Sequence, residues 1–292
     1  MRYLGQVIRP PSEAGSLILQ VMYGCSHGDC SFCGSYLGKP FRVRPFAEIK
    51  DDVRRLPAGV KSQTERVFLC DGDALAVPSR RMLEVLDLLR AELPHLARVS
   101  AYANAHSLLH LSEDELRELH ARCLELLYVG LESGDEATLA EMGKGVTASQ
   151  QVEAFIKGKR AGLKLSVTAI LGLGGVERSF VHARKTGEAL SAIDPDYVGI
   201  LTLMVEPGTP LYERVQRGDF VVPGPLQLLL ELREMIDACE VTHAIFRTNH
   251  ASNYLALRGT LPEDKGRLLR LLDDILAAPE SAQLRPNHLR GL

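Results

Sequence analysis

Six strand-like runs between Ser16 and Leu203 restrict the fold of this chain more than any other feature: Ser16–Met22, Arg66–Cys70, Arg98–Tyr102, Leu124–Leu131, Leu165–Leu171 and Tyr197–Leu203. They recur about every 30 residues, the length of a strand–helix unit. Helical patterns fill the gaps. Met82, Leu86, Leu89 and Leu93 share one helical face. Ser112 and Glu115 form a capping box, with Leu111 and Leu116 placed as its hydrophobic staple. Alternation of this kind predicts parallel strands with helices outside. Right-handed crossovers then allow an open doubly wound sheet or a barrel.

In either architecture chemistry gathers at the C-terminal ends of the strands, and polar or glycine residues stand there. The first run leads into Cys25, Cys30 and Cys33, the second into Asp71-Gly72-Asp73, and the third into Asn104. Glu132-Ser133-Gly134 follows the fourth, Gly172-Leu173-Gly174-Gly175 the fifth, and Glu206 comes soon after the sixth. Such agreement among strand ends predicts one shared site.

The crowding of three of the six cysteines into nine residues is the strongest chemical signal. Three thiolates on one loop reach three corners of a cubane iron–sulfur cluster and leave the fourth iron open to substrate. A closed zinc site needs a fourth ligand, for which His27 is the nearby candidate. Zinc binding and plain electron transfer are therefore the competing readings. Cys70, Cys123 and Cys239 are scattered in apolar surroundings and read as small core residues.

Composition narrows the function classes. With 46% hydrophobic and 24% charged residues over 292 positions the chain builds a core, which excludes disorder as its working state. No apolar run reaches the roughly 18 residues of a membrane helix, and the N-terminus lacks a leader-like apolar core, so a cytoplasmic protein without membrane contact is expected. The net charge of −3 supplies no field to hold a phosphate backbone.

After Pro207 the pattern changes. A helix is expected over Leu226–Cys239, a polar strand-like segment over Thr242–His250, and a last helix capped by Thr260-Leu-Pro-Glu263 and carrying Leu268, Leu272 and Ile275. Arg247, Asn249, His250 and Asn253 are candidates to cover the site and touch substrate.

Taken together the motifs resemble those of the radical S-adenosylmethionine (SAM) superfamily from about Ser16 to Tyr212. Cys30-Ser-Phe32-Cys33 matches the second half of the family's cysteine motif, while the step from Cys25 to Cys30 is one residue longer than usual. Asp71-Gly72-Asp73 resembles the Gly-Gly-Glu-like motif, with a carboxylate one methylene shorter. Leu131-Glu132-Ser133-Gly134 and the Gly172 turn resemble the motifs after strands four and five. Glu206-Pro-Gly-Thr-Pro-Leu-Tyr212 is similar to a segment of the coproporphyrinogen oxidase and methylthiotransferase branches.

The resemblance implies an α/β fold, a partial (β/α)6 TIM-type barrel over residues 1–215 closed by a C-terminal extension over 216–292. It implies an enzyme in which Cys25, Cys30 and Cys33 bind a [4Fe–4S] cluster, and SAM is cleaved reductively to a 5′-deoxyadenosyl radical that abstracts hydrogen from a substrate. Phe32, Gly72, Asp73, Asn104, Glu132, Ser133 and Gly172 are the implied cofactor contacts. Tyr102, Arg42 and Arg44 are weaker candidates for the site. An external flavodoxin- or ferredoxin-like donor is implied, and no cobalamin domain fits the length. The substrate, a small molecule, peptide or RNA, stays open.

Overall fold

The computed structural model describes residues 1–291. Eight strands make one sheet whose order follows the chain: β1 (Leu17–Gln20), β2 (Arg66–Cys70), β3 (Arg98–Ala103), β4 (Leu124–Glu132), β5 (Lys164–Leu171), β6 (Tyr197–Thr202), β7 (Ala244–Arg247) and β8 (Arg258–Leu261). Strands β1 to β4 pair in parallel, as do β5 to β7, and β8 runs antiparallel to β7. The helices are α1 (Phe46–Arg54), α2 (Ala58–Gln63), α3 (Ser79–Glu92), α4 (Ala105–His110), α5 (Glu113–His120), α6 (Glu136–Glu141), α7 (Ala148–Arg160), α8 (Gly175–Ile193), α9 (Pro210–Arg217), α10 (Pro225–Asp237) and α11 (Lys265–Ala277). The mostly parallel α/β arrangement expected from the alternation is present.

The chain packs as two compact units. The first holds residues 1–28, 35–129 and 153–165. Strand β2 shows why its sequence is apolar throughout: Val67, Phe68, Leu69 and Cys70 are all buried, as in a parallel strand covered on both faces. The face predicted for α3 is buried, and Val85 joins it. The Ser112–Glu115 capping box closes on both sides. Near the starts of β3 and β4, buried Glu13 accepts from Arg98 Nη2 at 2.7 Å, Ser100 Oγ at 3.0 Å and the Tyr128 hydroxyl at 2.8 Å.

The second unit holds residues 29–34, 130–152 and the chain from Ser166 onward. In the part of β5 it holds, Val167, Ala169 and Leu171 are buried while Ser166, Thr168 and Ile170 are half-buried, the alternation of a strand less covered on one face. Helices α8 and α10 touch closely at Gly187, where a Cβ would lie 2.5 Å from the Met235 carbonyl oxygen.

Three local expectations change. The last helix does not begin at the Thr260 cap: Thr260 pairs with Ile245 in the β7–β8 hairpin, so α11 starts at Lys265, and Asp264 Oδ2 accepts the Thr260 amide at 2.9 Å instead. The strand read over Thr242–His250 is confined to Ala244–Arg247, because Thr242 is engaged by Asp194 and Thr248 turns its amide to Leu257. Cys123 is half-buried rather than a core residue. It turns the chain from α5 into β4 at φ +73°, donating its amide to the His120 carbonyl at 3.0 Å.

Candidate functional site

In the first unit the end of β2 positions Cys25. Asp71, buried and at φ +72°, accepts from the Gly24 amide at 3.0 Å and from Gln20 Nε2 at 3.2 Å, and its Oδ2 lies 2.6 Å from Lys39 Nζ. The Gly72 amide donates to the Gly24 carbonyl at 2.8 Å. A Cβ at Gly72 would stand 2.6 Å from Cys25 Cβ and 2.8 Å from its Sγ, so only glycine lets the strand end lie against this cysteine. Asp71 is the residue whose importance the sequence concealed: nothing in Asp-Gly-Asp tells which carboxylate anchors the loop.

Asp73 is completely buried and surrounded by donors. It accepts from Ser26 Oγ at 2.5 Å, from the Ser107 hydroxyl, from the Asn104 amide at 3.3 Å and from the Leu75 amide. Burial without a cationic partner pushes its carboxyl up to about 6, although each of these hydrogen bonds pulls the other way. Asn104 caps α4, accepting the Ser107 amide at 3.0 Å, and donates from Nδ2 to Ser26 Oγ at 3.0 Å. Asp73, Asn104, Ser107 and Ser26, the residue after Cys25, are thus one network. It borders a cavity of about 370 Å³ whose lining includes Ser26, His27, Pro78, His106, Ser107 and His110. The His27 and His106 rings stack there at 4.6 Å.

In the second unit the other half of the cysteine loop is stitched from both sides. The Ser31 amide donates to the Met142 carbonyl at 2.9 Å, and the Leu211 amide donates to the Ser31 carbonyl at 2.9 Å. Phe32 packs on the apolar cluster of Met142, Leu173, Leu203, Leu211 and Phe220. Glu206 lies over Gly34, where a Cβ would meet its carboxyl oxygen, and burial raises the Glu206 carboxyl.

Glu132 ends β4 at φ +61° and pairs with Lys144 at 3.0 Å. Ser133 is occupied structurally: its Oγ accepts the Asp135 amide at 2.9 Å and is 2.8 Å from Nδ1 of buried His182. His182 Nε2 is 3.0 Å from the Ile170 carbonyl, which sets Nε2 as the protonated nitrogen, and burial lowers this imidazole to about 4. Gly172 turns at φ +84°, and its amide donates at 2.6 Å to Glu231, a buried carboxyl raised to about 7 by desolvation.

The weaker candidates fall elsewhere. Arg44 is buried, donating to Asp52 Oδ2 at 2.7 Å and to the Gln20 carbonyl at 2.8 Å. Arg42 lies 5.2 Å from the Tyr23 ring centre. Tyr102 sits edge-on to Phe68 at 5.0 Å and burial raises its hydroxyl. Asn253 bridges strand ends, accepting from Thr202 Oγ1 at 2.8 Å and donating to the Ile200 carbonyl at 2.7 Å. Arg247 and Asn249 are exposed, with Arg247 Nη1 on the Phe246 carbonyl at 2.7 Å.

All six cysteines are thiols outside any disulfide, and Cys25, Cys30 and Cys33 are half-buried. Burial raises the Cys70 thiol, and that of Cys239 to about 12, so both behave as core residues. Among the described residues no three His, Cys, Asp or Glu side chains already form a single-ion cage. A four-iron cluster takes one thiolate per iron and so needs its sulfurs further apart than a single ion does. Three accessible soft donors on one glycine-flanked loop fit that group.

Thiols, a buried carboxylate and glycine turns beyond parallel strands define an α/β protein that carries its chemistry at strand ends. The Radical SAM superfamily profile matches residues 19–185, more than half of the chain, and the chain belongs to that family. Its members are enzymes that use SAM and a [4Fe–4S] cluster and draw on an external electron donor. Among curated relatives, the chain is 29% identical over 235 residues to a tRNA-2-methylthio-N(6)-dimethylallyladenosine synthase of Roseiflexus sp. (strain RS-1), covering 76% of this chain and 48% of that one. It is 20% identical over 180 residues to the heme chaperone HemW of Bacillus subtilis (strain 168), covering 61% and 47%. The chain thus spans about half the length of these two relatives. The fold is similar to that of methylornithine synthase (PylB), with a TM-score of 0.54 at 18% identity over 93% of this chain and 74% of that one. This likeness supports the partial TIM-type form of the sheet. No helix among the described residues is long and apolar enough to cross a membrane.

Proposed function

We propose that Cys25, Cys30 and Cys33 hold a [4Fe–4S] cluster and that the chain cleaves SAM reductively to abstract hydrogen from a substrate. The observation that carries this reading is the loop itself. Cys25 is seated against Gly72, the stretch from Cys30 to Cys33 is pinned through Ser31, and all three thiols are half-buried. When bound, the cluster supplies the electron that breaks a sulfonium carbon–sulfur bond of SAM.

The chain's own residues then bind and orient. A carboxylate has about four lone-pair sites, and Asp73 fills them with Ser26, Ser107, Asn104 and Leu75 donors. A cofactor ammonium at Asp73 therefore replaces one hydroxyl donor, and Asp73 and Gly72 also place the Cys25 loop. Asn104 keeps Ser26 in position. Glu132, held by Lys144, and Ser133, held by His182, set the turn after β4 for the nucleoside. Gly172 presents backbone to the adenine, and Phe32 ties the cysteine loop to apolar core on the cofactor side. Residues 216–292 act as an extension of a 1–215 core by adding β7 and β8 to the sheet. An electron comes from a flavodoxin- or ferredoxin-like donor, no cobalamin is used, and the enzyme works in the cytoplasm.

The test is anaerobic reconstitution with iron and sulfide, followed by dithionite and SAM. Stoichiometric sulfide and release of 5′-deoxyadenosine are expected. Undiminished cleavage by Cys30→Ala, or stoichiometric zinc without sulfide in anaerobically purified protein, sinks the reading.

A further inference from the structure

Residues 282–291 run along the loop that follows β7 and hold it through two arginines. Arg285 Nη1 donates to the carbonyls of His250 at 3.1 Å, Ala251 at 2.7 Å and Asn253 at 3.0 Å. Arg290 donates from Nε to the Ser252 carbonyl at 2.6 Å, from Nη1 to the Tyr254 hydroxyl at 2.6 Å and from Nη2 to the Leu203 carbonyl at 3.2 Å. Its guanidinium also lies 4.0 Å from the Tyr254 ring centre.

Arg44, Arg98, Lys61 and Lys144 each face a carboxylate, whereas half-buried Lys157 donates to the Leu109 and Leu111 carbonyls. What sets Arg285 and Arg290 apart is that two cations held by such dipoles lie together. Arg285 and Arg290 are half-buried, and among the described residues neither forms an ion pair with a carboxylate. Their partners are carbonyl and hydroxyl dipoles. Burial, and to a smaller extent the Arg285 charge, lowers the Arg290 guanidinium against the opposing pull of Tyr254, and burial and then the Arg285 charge lower the His250 imidazole. Positive charge held without compensation leaves room for one anion. Among the described residues only Nη1 of the Arg285 guanidinium makes hydrogen bonds, and Nε and Nη2 are not fully enclosed, so the edge that binds oxyanions bidentately is left for a ligand.

The pair stands where the chemistry is proposed to be. Leu203 follows β6 directly, its amide donates to the Leu171 carbonyl at 2.9 Å, and a Cβ at Gly172 would lie 3.6 Å from Leu203 Cβ. Arg290 therefore touches the chain beside the glycine turn at the end of β5.

We propose that Arg285 and Arg290, with His250 beside them, form the receptor for one anionic group, a carboxylate or a phosphate, carried by the substrate. The assignment to the substrate rests on the proposed function; the anion site does not. The extension thereby selects among the possible substrates those that bear a negative group near the end of β6.

The test uses the full chain without a cluster. Inorganic phosphate and succinate are titrated against the melting temperature at constant ionic strength made up with chloride. A saturable rise with phosphate or succinate beyond chloride is expected, weakened at least tenfold in Arg285→Gln. S-adenosylhomocysteine provides the second arm, and its affinity is expected to be unchanged in Arg285→Gln. The proposal is overturned if chloride acts equally well, if the variant responds like the parent, or if S-adenosylhomocysteine weakens as much as phosphate does, which assigns the arginines to the cofactor. Should S-adenosylhomocysteine not bind, the phosphate and succinate arm decides. Should Arg285→Gln not fold, hydrogen exchange of the parent decides: protection of residues 248–254 by phosphate supports the site, and its absence overturns it. Neither arm requires iron, so a failed cluster assignment and a failed anion site give different results.

Discussion

Asp73, just beyond β2, is completely buried and takes its hydrogen bonds from hydroxyls and amides, whereas Glu132, at the end of β4, lies partly open against the Lys144 ammonium. Both are strand-end carboxylates in motifs of similar appearance. The difference lies in how each charge is balanced. Neutral donors orient Asp73 without compensating it, and its carboxyl rises to about 6. The Lys144 ammonium gives Glu132 a formal counter-charge at the cost of fixing two long side chains. The first carboxylate is oriented by neutral donors, and the second is balanced by a sheltered counter-charge.

The largest expected break falls on the cysteine loop that the first carboxylate supports. Cys30→Ala is expected to lose bound sulfide and 5′-deoxyadenosine release altogether, read by iron and sulfide assay and product chromatography.

Asp73→Asn comes next. The folded carboxyl sits at about 6 against an ordinary 3.8, so between those values the folded chain binds more protons than the unfolded one. Stability then falls as pH rises from about 4 to about 6, and changes little from this group above that. A shift of this size amounts to about 3 kcal/mol, and Asp73→Asn should flatten that decline in denaturant melts. A variant with the same slope as the parent would show that Asp73 does not titrate there.

Gly72→Val tests the seat of Cys25. The added carbons meet Cys25 Cβ and Sγ, and overpacking of this kind costs about 1–3 kcal/mol. Loss of stability together with loss of sulfide is expected. Stability loss with full sulfide would separate the seat from the cluster.

Lys144→Met sharpens the other side of the comparison. Glu132 and Lys144 are 14% and 10% exposed, so the loss should exceed the roughly 1 kcal/mol of a surface pair and approach the roughly 3–5 kcal/mol of a buried one, with little screening by salt. A loss below about 1 kcal/mol that shrinks in high salt would show that the ammonium does not balance Glu132 and would erase the distinction drawn between the two carboxylates.

How much of this was legible beforehand depends on the range of the interactions. Most strands were, because apolar runs of the right length report burial directly: β2 coincides with its predicted span, the other five runs up to β6 shift by one or two residues at their ends, and β8 was not legible as a strand. The capping box of α5 was, because it is complete within four residues. The cysteine loop was legible as chemistry. The partner of each strand-end group was not. Asp71 rather than Asp73 holds Gly24, Glu231 reaches Gly172 from 59 positions away, and the tail arginines clamp a loop more than 30 positions back. Contacts of that separation leave no periodicity to read. The Thr260 cap failed for a related reason, since hairpin pairing with β7 took the residue that local pattern gave to the helix.

The stitching of Ser31 also orders events in time. Its carbonyl is taken by the amide of Leu211, and its amide by the carbonyl of Met142. A ribosome makes Ser31 before those partners, 111 and 180 positions ahead of them, so the loop stays unclamped over that stretch of translation. Its thiols stand open to oxidation for that interval, and the clamp on Ser31 closes only once Leu211 has been made.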